Sequence, residues 1–116
     1  MAIAQLYTGN GVTISTTEIS LVSGTSSLQS DTTDGIFQVF VEVNNMAAND
    51  EFTITIKEKV YAAATQRVVM QSALVGQQAA PVWVSPSMIF LHGWDVTMIR
   101  VAGADRTFSW SIRQVA

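Results

Sequence analysis

Residues 105–116 read DRTFSWSIRQVA, and the alternation inside that run decides the fold class. Phe108, Trp110 and Ile112 are large and apolar, whereas Thr107, Ser109, Ser111 and Arg113 are polar. A repeat of two puts the two sets on opposite faces of an extended chain, so this is a strand with one face in a core. Immediately before it, residues 94–102 repeat the pattern with Trp94, Val96 and Met98. Gly103, Ala104 and Asp105 between the two runs read as a three-residue hairpin loop whose glycine supplies positive φ.

The same reading extends back to the start of the chain. Residues 88–92 form a further strand candidate, and PVWVSP at 81–86 is a short extended piece between two prolines, which cannot both donate to a central ladder. That piece belongs at an edge or rim. Residues 66–76 supply another strand, and the alanine-rich 61–65 stretch is too short to nucleate a helix and reads as a loop. EFTITIKEKV at 51–60 sets Phe52, Ile54 and Ile56 against Thr53, Thr55 and Lys57, while IFQVFVEVN at 36–44 sets Phe37, Val39, Val41 and Val43 against Ile36 and Phe40. The intervening 45–50 loop is short enough to close a hairpin between them. Upstream lie a turn at Asp34-Gly35, a Ser/Thr-rich loop or weak edge strand over 23–33, two short strands around Ile19/Leu21 and Val12/Ile14, and a turn at Gly9-Asn10-Gly11. No stretch has a helical period. Short strands separated by turn signals predict an all-β, antiparallel β-sandwich, jelly-roll-like and forming a single domain over residues 1–116, with residues 1–11 as an N-terminal arm.

With 13% charged and 48% hydrophobic residues, the surface must be made largely of small polar and apolar groups, a thin solubilising coat that favours contact with other chains. A net charge of −3 with six scattered Lys and Arg cannot neutralise many phosphates, so no nucleic acid partner is expected. No window approaches the ~20 apolar residues of a membrane span, and the first residues carry no basic signal region, so synthesis in a cytoplasm and no membrane partner are expected. Without cysteine, stability must come from packing and subunit contacts.

Chemistry-bearing residues do not cluster along the sequence. The one histidine, His92, stands three residues before Asp95, but no Gly-x-Ser-x-Gly elbow accompanies them, and the simpler reading is a turn histidine bonded to backbone. Asp31 and Asp34 before Gly35 lack the rest of a calcium loop, so no metal is expected. Glu42, Glu51 and Glu58 fall where solvent or Lys57 and Lys59 would meet them. The Gly9-Asn10-Gly11 spacing matches no phosphate loop. Trp110 and Trp94 alternate with apolar neighbours and read as core, the former contributing about 2–3 kcal/mol if enclosed. Trp83, between Pro81 and Pro86, is a candidate surface anchor for a sugar or a protein, with core packing equally open. No enzyme, cofactor or small-molecule substrate is predicted; the molecule is expected to act by contact.

The stretches LYTGNGVTISTTEISLVSGT, DGIFQVFVEVNNMAANDEFTITIKEKV and PVWVSPSMIFLHGWDVTMIRVAGADRTFSWSIRQVA together resemble the head decoration, or cement, proteins of tailed bacteriophages. The resemblance covers nearly the whole chain as an overall pattern, without a diagnostic motif. It implies a jelly-roll or sandwich domain that binds the outside of the capsid as a homotrimer and reinforces the lattice of the major capsid protein, its partner; the location implied is the virion surface. No motif transfers a capsid site residue by residue. The candidate protein contacts are Ile3, Leu6 and Tyr7 in the arm, equally readable as a first strand, and Pro81, Trp83 and Pro86. The alternative is a carbohydrate- or receptor-binding module built on Trp83, and a weaker third reading is a hydrolase around His92 and Asp95.

Overall fold

Alternation of apolar and polar side chains carries the chain into nine strands: β1 (Ile3–Ile14), β2 (Ile19–Ser20), β3 (Gly35–Glu42), β4 (Glu51–Glu58), β5 (Arg67–Val75), β6 (Val82–Val84), β7 (Met88–Phe90), β8 (Trp94–Ala102) and β9 (Arg106–Val115). The structure, a computed structural model, describes residues 2–115; Met1 and Ala116, the ends of the expected domain, lie outside the described residues. The first sheet runs β1-β9-β3-β6, with β7 paired to the other half of β3, and the second runs β2-β8-β4-β5. Every pairing is antiparallel. The pairs are nested: β1 with β9, β2 with β8, β3 with β6 and β7, and β4 with β5. A long hairpin folded over in this way is a jelly roll, as the alternation led one to expect.

The core lies between the sheets. Phe37, Val39 and Val41 of β3 and Phe108, Trp110 and Ile112 of β9 face Phe52, Ile54 and Ile56 of β4 and Trp94, Val96 and Met98 of β8, all buried. Aromatic rings join the layers. Trp94 packs 4.7 Å from Phe37 and 4.8 Å from Phe90, and Phe52 meets Phe108 edge-on at 4.8 Å. Such pairs add about 0.5–1.5 kcal/mol each beyond burial.

Three expected turns are something else. The 45–50 and 103–105 loops do not close hairpins, because β3 and β4 lie in different sheets, as do β8 and β9. Both loops cross the sandwich and lie against each other. Gly103 has φ +85 and a Cβ there would fall 2.2 Å from Asp50 Oδ1, so the two crossings meet too closely for any other residue. Met46 is buried inside the first of them. The hairpin joining strands consecutive in the second sheet is β4–β5, through the alanine-rich loop. Gly9-Asn10-Gly11 is not a turn: β1 runs through it with a bulge, Gly9 facing Trp110 and Val12 facing Phe108. Residues 3–14 are accordingly a paired strand and not a free arm.

Candidate functional site

The six candidate contact residues fall at opposite edges of one sheet. Ile3, Leu6 and Tyr7 belong to β1 at one edge, and Trp83 to β6 at the other, with Pro81 and Pro86 flanking it in exposed positions. The structure does not bring the two groups together. Ile3 is 71% exposed, but Leu6 and Tyr7 are half-buried against the core. The Tyr7 hydroxyl donates to Asp31, and its ring meets Trp94 edge-on at 6.2 Å. Burial, then the bond to Asp31, raises the Tyr7 pKa. Trp83 likewise packs half-buried against the core, while Val82 and Val84 on either side face outward. It is therefore not a free stacking platform, and the neighbours of the tryptophan carry the exposed surface at this edge.

Register assigns the outer face of the first sheet row by row. Ile3, Val115, Ile36 and Ile89 lie directly opposite one another across β1, β9, β3 and β7. The next row is Gln5, Arg113 and Gln38, and the next Thr8, Ser111, Phe40 and Val84, followed by Ser109, Glu42 and Val82. Directly opposed residues share a face. Over β3, β6 and β7 this face carries Ile36, Phe40, Val82, Val84 and Ile89 with Gln38 and Glu42 among them, and over β1 and β9 it is mostly Ser, Thr and Gln, with Arg113 in the second row and Ile3 and Val115 at one end. Arg113 lies over the Phe40 ring, 3.9 Å from its centroid. Troughs of about 300 and 180 Å³ lie on this face, and both are lined by Phe40 and Arg113.

A second apolar surface occupies the flank where β7 of one sheet and β5 of the other leave the sandwich open. A groove of about 350 Å³ lies there, lined by Glu58, Val69, Met70, Met88, Ile89 and Phe90. Ile89 is 80% exposed and Val69 53%, and Val68 and Leu91 beside them are also exposed. Among the described residues β5 pairs with β4 on one side alone, so along its other side every second residue of this nine-residue strand without a proline turns its backbone N–H and C=O away from the sheet. Such an edge is a template for contact with another chain.

The carboxylates are held in structural roles. Asp95 is fully buried and accepts from Ser20 Oγ at 2.6 Å and from the amides of Gln29 and Val96 at 2.9 Å each. Burial pushes its pKa up despite these bonds. The His92 ring makes no hydrogen bond among the described residues, neither to Asp95 nor to the backbone, the bond expected of a turn histidine; its amide bonds to Glu58 instead. Glu58, expected in solvent or against Lys57 and Lys59, accepts from the amides of Leu91 at 2.7 Å and Gly93 at 2.8 Å and so fixes the loop after β7. Asp50 accepts from Arg106 Nε at 2.7 Å and from the amides of Ala47 and Ala104, and these, the guanidinium first, hold its pKa down to about 2. Asp31 accepts the Thr33 amide and Tyr7, a turn arrangement; among the described residues no cluster of three or more metal-ligating side chains occurs.

Compared with known proteins, the chain matches no family model, no curated protein and no solved structure. The outer face of the first sheet was visible in the sequence only as Ile36 and Phe40 falling on the polar side of their strand's alternation, and the β5/β7 flank had no signal there.

Proposed function

We propose that this protein is a head decoration protein of a tailed bacteriophage, which binds the outside of the capsid as an oligomer and stabilises the lattice of the major capsid protein. The observation that carries the reading is the open β5/β7 flank, where Val68, Val69, Ile89 and Leu91 stand exposed around a groove beside an unpaired strand edge. A chain that is 13% charged gains by covering such a surface, and shape-matched apolar contact repeated over a shell holds many weak attachments at once. The jelly roll is compatible with this role and with many others, so the flank and not the fold supports it.

The test is co-sedimentation of the purified protein with emptied heads of the parent phage. Saturable binding is expected, lost in Val69→Glu and Ile89→Glu variants that still fold. Failure of the wild-type chain to sediment with the heads would overturn the proposal. The sugar-binding alternative would instead require glycan binding that Trp83→Ala abolishes without unfolding the protein.

A further inference from the structure

We infer that the outer face of the first sheet is a self-association surface that pairs with the same face of a second copy about a two-fold axis. The inference does not rest on the capsid reading, which concerns the β5/β7 flank; the two surfaces meet at Ile89. Its first support is charge. The strands of this sheet carry three charged residues, Glu42, Arg106 and Arg113. Arg106 is bound to Asp50, which leaves one cation and one anion on the outer face. Arg113 stands opposite Gln38, four residues along β3 from Glu42, a separation of about 13 Å along the strand direction. Phe40 lies midway between them on β3.

An axis in the plane of the face, crossing the strands at Phe40, reverses position along the strands and keeps position across them. Val84, and Phe40 beneath Arg113, then lie at the axis. Arg113 of each molecule reaches the trough of about 300 Å³ beside Glu42 of the other, which Phe40, Val82, Ser109 and Ser111 also line. The same operation lays Thr8 and Ser111 over their own copies and sets Gln38 opposite Glu42. An axis along the strands keeps each row in place, so Arg113 and Glu42 stay about 13 Å apart and do not pair. A two-fold contact must be self-complementary, and this face is so in one orientation. A three-fold ring would need two different complementary patches, so this geometry dictates an even-numbered assembly in place of the trimer implied by the family resemblance. Four strands by about seven residues give a face of about 500 Å² per copy, at the low end for specific contacts, so the pairing is reversible and concentration-dependent.

The experiment is sedimentation equilibrium of the full chain over a wide concentration range. A monomer–dimer equilibrium is expected. Arg113→Glu and Glu42→Arg should each raise the concentration at half-dimerisation at least tenfold, and the double reversal should bring it back to within about threefold of wild type. Val84→Glu, at the axis, should raise it without rescue by either reversal. Thermal unfolding of each variant confirms that it is folded, all three sites being exposed on the surface. A monomer at every concentration, a trimer, a dimer indifferent to both single reversals, or a double reversal that does not restore dimerisation would overturn the inference.

Discussion

Adding one methyl group at Gly9 tests the outermost pair of the jelly roll, β1 against β9. A Cβ on Gly9 would lie 2.3–2.5 Å from three atoms of the Trp110 indole. Gly9 is absent from the positive-φ glycines, so its backbone accepts alanine and the whole cost is steric. The indole would have to retreat by about 1 Å to reach ordinary contact, and overpacking of this kind costs about 1–3 kcal/mol. Its N–H donates to the Leu21 carbonyl at 2.8 Å inside the core, and stretching that bond adds about 1–3 kcal/mol. Loss of glycine's freedom in the unfolded chain returns somewhat under 1 kcal/mol. Gly9→Ala is therefore expected to destabilise by about 3 kcal/mol, or about 12 °C in Tm for a domain of this size. The control is Gly11→Ala, where φ is +62 and nothing lies within 4 Å of the added carbon. It should cost only the left-handed backbone strain of about 1–2 kcal/mol. Urea unfolding of the two variants is the assay. Gly9→Ala no more destabilising than Gly11→Ala would refute the placement of Trp110 across β1.

The other expectations concern the buried polar groups and Trp83. Because Arg106 and two amides hold Asp50 at about 2, below the unfolded carboxylate, the stabilisation it supplies is complete above about pH 4 and is lost as pH falls towards 2. Asp50→Asn should flatten the urea midpoint across that window relative to wild type, and parallel curves would contradict the assignment. Asp95→Ala strands the Ser20 hydroxyl and the Gln29 and Val96 amides, so a cost of about 3 kcal/mol is expected, with faster hydrogen exchange at Gln29. Trp83→Ala should lower stability by about 2 kcal/mol, since the ring is half-buried against the core; an unchanged urea midpoint would place it in solvent.

Local periodicity made the strands legible and left their partners hidden. The alternation of Phe108, Trp110 and Ile112, and of Phe52, Ile54 and Ile56, names the buried face correctly because a side chain's direction depends only on its place in the strand. A short polar loop, by contrast, joins two strands equally well within a sheet or across the ~10 Å between sheets. The 45–50 segment reads as a hairpin loop on its length, and 103–105 on its length and the glycine at its start. The contrary signals were Met46, an apolar residue inside a loop, and Asp50 with Gly103, which pack the two crossings together. The bulge at Gly9 read as a turn because glycine marks both left-handed backbone and close approach; the close approach is to Trp110, 101 residues later. Trp83 carried the right edge position while its exposure stayed open between surface and core, since two prolines bound a strand without saying which way its side chains face. The apolar flank is a product of topology, made where β5 and β7 come side by side from different sheets, and no window of sequence contains it.

Hydrogen exchange of the free protein and of the protein bound to emptied heads tests most directly the claim that this molecule works through its open flank. The account predicts new protection over Arg67–Val75 and over Met88–Phe90, and unchanged exchange in the Ile3–Ile14 segment at the far edge of the first sheet. Protection confined to that segment, or no change anywhere on the bound protein, would contradict it.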